Sequence, residues 1–371
     1  MKKKIFEIAV LFTVMIGIYM INHFLDFKMP ADYPAGITYA RAKVIAVLEN
    51  NLGNDPEHKE IEIGKQKLRM VITDGPYKGK EIDVYNFVER SLQQKGEIGA
   101  RYIVASYDEF ITVLVISYDR IQIVTMCTFI FLLIVVIFGK WKGIKSIFSL
   151  AFTLLCVFYL LIPLILKGVN PILAAVTVVV LSTCVTFYSI SGISKKSILA
   201  SACCMICCLI AGLYGYAFSH FMRVSTLNTP EAENLLFITE GTGLRIQNML
   251  VAGIIVASMG AIMDTSMSMI SSLQELKEVN PQITGRQLVK SGFRIGSDIM
   301  GTMTNTLILA FAGGSINMLM TMFMYQSPLI ALINSDLIVI ELLRGLSGSV
   351  AVVCAIPVSI FLASVTDSYR K

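Results

Sequence analysis

Long apolar runs alternate with short charged segments along most of this chain. A membrane-spanning helix needs about 20 apolar residues, and the first run, residues 5–25, has this length and follows Lys2, Lys3 and Lys4. The alternative is a secretory signal peptide, but its apolar core is shorter, and no small-x-small cleavage site follows this run. We therefore interpret residues 1–25 as a retained transmembrane anchor.

The later apolar runs predict a polytopic α-helical membrane protein with about eight transmembrane helices. The further predicted spans cover residues 121–139, 144–166, 172–190, 198–218, 246–263, 299–311 and 346–363. The stretch 315–344 fits no span, and its two apolar pieces are predicted to be interfacial or re-entrant helices on the outer face. Within it, Glu341 and Arg344 are spaced to form an ion pair.

Basic clusters between the spans set the orientation, because cytoplasmic loops are enriched in Lys and Arg. With the N-terminus inside, every such cluster falls in the cytoplasm, at residues 140–145, 195–196, 277–294 and 370–371. The segments 26–120 and 219–244 then lie outside. We expect a multi-pass protein of the plasma or inner membrane with both termini in the cytoplasm.

Residues 26–120 form the one long hydrophilic stretch, and they predict an exported β-rich domain. Five β-type runs occupy residues 42–48, 66–72, 81–85, 101–105 and 110–116. Five short strands favour a small all-β barrel of OB-like form, although any five-stranded barrel produces this pattern. The predicted domains are therefore 1–25, 26–120 and the membrane domain 121–371.

Composition supports the membrane assignment and narrows the chemistry. Charged residues make up 15% of the chain, against about 25% in soluble proteins, and the net charge of +5 is spread over small clusters that do not indicate nucleic-acid binding. All eight cysteines lie in apolar segments. The CxxC spacing at Cys204 and Cys207 suits a soft metal, but no histidine accompanies it, and we expect neither a metal nor a cofactor.

The sixth span carries small residues on one helical stripe, Gly253, Ala257 and Gly260, which Asp264 continues. Such a stripe lets a neighbouring helix approach closely. One interpretation is a packing seam that ends in an aspartate at the membrane boundary. The other is that Asp264 points into the bundle, where an ionisable group is costly and is a functional candidate.

The seventh span begins with a second polar stripe, Asp298, Thr302 and Asn305, and Gly301 beside it is expected to serve helix packing. Alternative roles are a helix N-cap for Asp298 and hydroxyl bonds to the helix's own backbone for the threonines. Because one cytoplasmic loop joins the two spans, Asp298 and Asp264 are expected at similar depth. Two carboxylates there suit a shared proton or a bound cation.

The connector between these spans, residues 268–297, is predicted to form an amphipathic cytoplasmic helix. Thr284 and Gln287 have the spacing of a capping box. Arg286, Lys290 and Arg294 follow on one face, where they are expected to contact anionic headgroups of the inner leaflet. No nucleophile–base set, phosphate loop or HExxH motif occurs, and the sequence does not indicate an enzyme.

Several of these motifs together resemble the bacterial YibE/F family. The resemblance is carried by residues 260–268, 275–276, 296–310, 313–314 and 355–357, with Asn334, Glu341 and Gly348. It extends from residue 121 onward, and the turn at residues 79–80 and the run 84–86 are similar as well. Where the family has Gly-Arg-Asp, this chain has Gly296-Ser297-Asp298, which spares the aspartate and removes the arginine. At fold level the pattern is similar to the membrane halves of SecD/SecF and RND pumps.

Two functional hypotheses follow. The first is a transporter or export-associated protein that couples to a proton or cation at Asp264, Asp298, Thr302 and Asn305. The alternative is a non-transporting scaffold or sensor whose exported β-domain binds an envelope partner. The expected partners are the lipid bilayer, the coupling ion, and a second copy of the chain or an envelope protein.

Overall fold

The computed structural model describes residues 37–108, 110–224, 227, 248–325 and 328–368. The predicted anchor 1–25, most of the 219–244 loop and the basic pair 370–371 lie outside the described residues. Within them the chain divides into two compact units, with the boundary after Ile134.

The first unit contains a five-stranded antiparallel sheet curled into a half-barrel. Its strands follow the order β3-β2-β1-β4-β5, and β3 and β5, the two strands at the ends of this order, lie side by side. The strands are β1 Thr38–Asn54, β2 Glu62–Ile72, β3 Glu81–Val88, β4 Arg101–Ser106 and β5 Val113–Tyr118. Each overlaps a predicted run, so the prediction of five strands is confirmed.

Alternation of apolar and polar residues explains why these segments form strands with one buried face. In β3 every second residue is buried, and Val84 on this strand meets Leu68 of β2 and Val104 of β4 in the core. Polar side chains also enter the interior: Gln66 accepts a hydrogen bond from the amide of Gly96 at 2.7 Å. This bond holds the segment between β3 and β4 against the sheet.

A buried carboxylate fastens the turn between β1 and β2. The Asp55 side chain is fully buried, accepts hydrogen bonds from the amides of Glu57 and His58 at 2.8 and 3.1 Å, and forms a bidentate ion pair with Arg90 beyond β3. The guanidinium and the two amides stabilise the charged form, and the pKa of Asp55 falls to about 2. This contact joins two turns that lie far apart in sequence.

The second unit is helical. The first helix begins in the preceding unit, and a π-helical segment, Val157–Leu161, joins it to the second. The helices are α1 Ile121–Cys156, α2 Ile162–Leu166, α3 Pro171–Ser191, α4 Lys195–Phe221, α5 Met249–Val279, α6 Gly285–Gly314, α7 Ile316–Met324, α8 Leu329–Ile333 and α9 Asp336–Ser368. Helix α5 is central and packs against α3, α4, α6 and α9.

Helix α1 turns back on itself at Lys140, which has a non-helical conformation with φ of 48°. Beyond this break, Gly143 contacts the backbone carbonyl of Val135 so closely that no side chain fits there. The break coincides with the predicted end of the second span. Five helices of the described residues are long and apolar enough to cross a membrane, or six if α6 and α7, bent by 57°, form one crossing.

The predicted connector 268–297 is not a separate helix. Helix α5 continues to Val279, and α6 runs without interruption from Gly285 to Gly314, so the basic segment and the predicted seventh span are one helix. The predicted capping box at Thr284 and Gln287 is present at its start. Between α5 and α6, only residues 280–284 are non-helical. No residue between the cap at Thr284 and Gly314 interrupts α6, and packing against α9 stabilises it.

The stretch 315–344 also differs from the prediction of two interfacial or re-entrant helices. Helix α7 is the first apolar piece, but the second is divided between the short α8 and the first turns of α9. The last span therefore begins at Asp336, ten residues before the predicted start at Leu346. Glu341 and Arg344 form the predicted ion pair, with 2.5 Å between Oε1 and Nη1.

Replacing Asp55 with Asn tests the buried ion pair. A carboxyl whose pKa is depressed in the folded state stabilises it above the ordinary value of 3.8 and loses this contribution as the pH falls toward about 2. Hydrogen exchange of the full chain in detergent should show faster exchange around residues 55–58 in Asp55→Asn at pH 5 and above. The difference from wild type should shrink below pH 3.8.

The control for this experiment is Glu60→Gln, an exposed position in the same turn. It should exchange like wild type at every pH. A difference between wild type and Asp55→Asn that is the same at all pH values would contradict the assignment of the ion pair as the cause.

Gly296→Val tests the contact between α6 and α9. A Cβ at Gly296 would lie 2.5 Å from Ile356, and overpacking of this kind costs roughly 1–3 kcal/mol. We expect a lower thermal unfolding temperature, measured as the loss of monodisperse protein in detergent. Gly301→Val is the matched control, since no described atom lies within 4 Å of a Cβ there. An equal loss in both variants would contradict the prediction.

Candidate functional site

Helix α5 has two opposite faces that differ in packing. Ser258, Ile262 and Thr265 are buried among the neighbouring helices. At 100° per residue, the stripe predicted to pack, Gly253, Ala257, Gly260 and Asp264, lies on the opposite side and is exposed. A Cβ at Gly253 or Gly260 would meet nothing within 4 Å in the described part of the chain. The role of this stripe in helix packing stays a prediction.

Helix α6 packs on α9 through two glycines that the sequence analysis did not select. A Cβ would lie 2.8 Å from Ile360 at Gly292 and 2.5 Å from Ile356 at Gly296. The Gly-x-x-x-Gly spacing is a sequence signal for such close approach of helices. Gly301, which the analysis did select, has open space around it among the described residues.

Asp298, Thr302 and Asn305 are exposed on the side of α6 that points away from α9. Asp298 lies well inside the helix, so the alternative role as an N-cap is wrong. The alternative for the threonines is confirmed: Thr302 Oγ1 donates to the carbonyl of Ile299 at 3.0 Å, and Thr306 Oγ1 to that of Thr302 at 2.9 Å. Each hydroxyl keeps its lone pairs for another donor.

The two antiparallel helices can be aligned from their contacts. At one level, a Cβ on Gly348 of α9 would lie 3.3 Å from Ser258 Cβ and 3.4 Å from Leu307 Cδ1. At another, a Cβ on Gly292 would lie 3.0 Å from Leu273 Cδ2. Both levels give the same pairing of the helices, which sets Asp264 beside the position of Gly301.

In this alignment Asp298 lies about one helical turn from the level of Asp264. Both carboxylates are on the side away from α9, because Ser258 and Gly296, which face α9, lie on the other sides of their helices. We use the name α5/α6 groove for the exposed residues Asp264, Asp298, Thr302 and Asn305, which lie on the sides of these two helices that point away from α9. In the described part of the chain, no basic side chain pairs with either carboxylate.

The basic residues Arg286, Lys290 and Arg294 are exposed along the first turns of α6. The apolar side opposite them is mostly exposed as well: Leu288 is buried, but Phe293 is 48% exposed. Lys277, near the end of α5, donates to the carbonyl of Ala363 at 2.7 Å and ties this end of α5 to α9.

The cysteines of α4 are packing residues in this structure. Cys203, Cys204, Cys207 and Cys208 are all buried, and Cys203 Sγ lies 3.6 Å from the carbonyl oxygen of Ala355 in α9. Among the described residues, no group of three or more His, Cys, Asp or Glu side chains is arranged to hold a metal ion.

A separate cavity of about 180 Å³ lies between α6, α7 and α9. Its lining is apolar, with Phe311, Met318 and Leu342 among the walls, and Glu341 is its single charged residue. Because Arg344 already neutralises that carboxylate, the cavity offers volume but no free polar group for chemistry. The α5/α6 groove is therefore the better candidate for an ion site.

Comparison with known families identifies the helical part of the chain. A family model described as YibE/F-like protein matches residues 127–367, which is well over half of the sequence. The chain belongs to the YibE/F-like family. The match includes both helices of the α5/α6 groove and leaves out the β-sheet. No curated protein and no solved structure matches the chain.

Outside the matched region, this YibE/F-like chain carries an exposed aromatic patch on its sheet. Tyr85 and Phe87 of β3 are 47% and 57% exposed, and the Lys65 Nζ lies 3.7 Å from the centroid of the Tyr85 ring. Lys67 lies on the same face, 5.7 Å from that ring. We call Lys65, Lys67, Tyr85 and Phe87 the β2/β3 patch. Sequence analysis missed it, although alternation in both strands places these four residues on one face.

Proposed function

We propose that this YibE/F-like protein is a transporter or export-associated protein of the cell membrane, and that the α5/α6 groove binds its coupling proton or cation. The observation that carries the proposal is the pair of carboxylates, Asp264 and Asp298, which lie on one groove about a turn apart in depth without a basic partner among the described residues. A membrane helix excludes such groups unless they interact with water, an ion or each other.

The neighbouring side chains suit this role. Thr302 and Asn305 add neutral oxygen atoms to the groove, and the hydroxyl of Thr302 has already used its proton on the backbone, so it offers only lone pairs. The two carboxylates supply the negative charge that a bound proton or cation neutralises. The set therefore suits a proton or a small cation better than an anion.

The proposed topology has about eight spans and cytoplasmic termini. Helix α1 and the segments after it supply a candidate span of 46 residues, twice the length that a bilayer requires, and the reversal at Lys140 divides it. The basic residues at this reversal and at the start of α6 then lie in the cytoplasm. In this arrangement Arg286, Lys290 and Arg294 contact the anionic headgroups of the inner leaflet.

The exported half-barrel is proposed to be OB-like. In that fold the first strand pairs with the second and the fourth, and the third lies beside the fifth. The observed order β3-β2-β1-β4-β5, with β3 next to β5, supports this proposal. It places a small β-domain outside the membrane ahead of the helical unit.

One observation favours the second candidate function, a scaffold or sensor that binds an envelope partner. The β2/β3 patch combines two exposed aromatic rings with two lysines, and exposed aromatic residues are enriched where proteins meet partners. A partner with an acidic and apolar surface fits this chemistry. The two functions are compatible in one chain because they use different units.

Asp264→Asn and Asp298→Asn test the ion site. In proteoliposomes with an internal pH-sensitive dye and an imposed membrane potential, wild type should move protons, or a cation under the matching dye. Each variant should reduce that movement by roughly tenfold or more, because Asn cannot carry the charge or the proton. The control Asp336→Asn changes an exposed aspartate at the start of α9 and should leave the movement unchanged. Unchanged movement in both groove variants would refute the proposal.

Tyr85→Ser combined with Phe87→Ser tests the β2/β3 patch. Cross-linking of the full-length protein in cells should capture an envelope protein, and the double variant should lose that product while keeping its expression level. Tyr107→Ser is the control, since Tyr107 is 62% exposed on the same unit but lies outside the patch. Capture that survives the double variant would argue against a partner at this surface.

A further inference from the structure

The α5/α6 groove changes character along its length. From Asp264 toward the α5–α6 turn at residues 280–284, the same face of α5 carries Ser268, Ser271 and Glu275. In the other direction it carries Gly260, Ala257 and Gly253, none of which has a polar side chain. Asp264 lies at the point where the polar half of this face ends.

Helix α6 shows a similar division, about one turn beyond the level of Asp264. A ridge with a spacing of four residues runs from the turn into the helix through Lys290, Arg294, Asp298, Thr302 and Thr306, and all five are exposed. The exposed residues that follow are apolar, including Ile308 and Leu309 at 43% and 69%. The alignment of the helices sets Asn305 beside Gly260, so the polar residues of α6 extend about one turn beyond the level of Asp264.

The polar half and the apolar half of the groove favour different surroundings in a membrane. Charged and hydroxyl side chains in a membrane face the protein interior or water, whereas small and apolar side chains pack against a helix or lipid. The polar half opens at the α5–α6 turn, where Glu278 and Gln282 are exposed to solution. The exposed polar residues therefore form a continuous surface on α5 that leads from the turn to Asp264.

The charged residues between the α5–α6 turn and Asp264 indicate whether a proton or a metal cation can move along this surface. Glu275 lies on α5, and Lys290, Arg294 and Asp298 lie on α6; α9, which faces the other side, contributes none. Arg294 stays positively charged at any physiological pH and lies one turn before Asp298 on the way in from the turn. A metal cation has to pass this guanidinium, whereas a proton can move along a chain of water molecules.

We propose that the polar half of the α5/α6 groove is a water-filled half-channel that connects Asp264 with the solution at the α5–α6 turn, and that a proton is the species that reaches Asp264 through it. The inference rests on the proposed function, which left proton and cation open, and it adds the direction of access. It requires that the side of the membrane that exposes the turn can reach the groove and that the opposite side cannot.

Sided labelling of introduced cysteines tests the path. The background is the full chain with the exposed Cys127 and Cys184 and the half-buried Cys354 replaced by Ala, because Cys156 and the cysteines of α4 are buried. Ser268→Cys and Thr302→Cys report on the polar half, and Ala257→Cys reports on the apolar half. Gln282→Cys marks which vesicle orientation exposes the turn, so the experiment assumes no topology.

A charged, impermeant maleimide should modify Ser268→Cys and Thr302→Cys at least about tenfold faster from the side that modifies Gln282→Cys, because the reaction needs a thiolate in water. Ala257→Cys should stay unmodified from both sides. Equal rates from the two sides, no modification of the polar-half positions, or rapid modification of Ala257→Cys would each overturn the half-channel. Variants that are not monodisperse in detergent are replaced by Ser271→Cys and Asn305→Cys.

A second measurement separates a proton from a metal cation. A hydrophobic carbodiimide reacts with protonated carboxyls, and mass spectrometry of the wild-type protein should find the adduct on Asp264, with none at this position in Asp264→Asn. Sodium or potassium should leave the yield unchanged; a severalfold suppression by either ion would overturn the assignment of a proton. One-sided labelling together with unchanged ion movement in Asp264→Asn would refute the proposed function and retain the half-channel.

Discussion

The close contact between α6 and α9 fixes the orientation on which the candidate site depends. Gly292 and Gly296 present no side chain, so Ile356 and Ile360 fill the space against the α6 backbone. This contact holds one face of α6 against α9. Residues that lie about a third of a turn or more around the helix from that face point away from α9, and Asp298, Thr302 and Asn305 are among them. Rotating α6 to bury Asp298 would push Arg294 toward α9, where Ile356 and Ile360 leave no space for it.

The sequence predicts local features of α6 better than its extent. The capping box at Thr284 and Gln287 depends on four consecutive residues, and it forms as predicted. The continuity of α6 through Gly292 and Gly296 does not follow from local preference, because each interior glycine costs about 1 kcal/mol relative to alanine. Packing against α9 offsets this cost, and packing of that kind is invisible in the α6 sequence alone.

The orientation of α5 in the helical unit is a second feature that sequence patterns do not predict. Small residues occur on two sides of this helix: Gly253, Ala257 and Gly260 on one, Ser258 and Thr265 on the other. The buried hydroxyls bond to their own helix, Ser258 to the Ile254 carbonyl at 2.6 Å and Thr265 to that of Ala261 at 2.9 Å, so they enter the core without needing a partner. Periodicity finds both stripes, but only the neighbouring helices decide which one is covered. In the β-unit the same holds for Asp55 and Arg90, whose partnership across 35 residues no local pattern contains.

The acidic residues of the helical unit are of two kinds, paired and unpaired. This difference explains why the α5/α6 groove, and not the apolar cavity, is the candidate ion site. Glu341 has Arg344 one turn away on the same helix, and this pair neutralises itself within α9. Asp264 and Asp298 have no such partner among the described residues, and the nearest cation along the α6 ridge, Arg294, lies on the side of the turn. An unpaired carboxylate in a membrane helix stays charged only where water reaches it and becomes neutral only by taking up a proton. Access to water and exchange of a proton are therefore two consequences of the same unpaired charge.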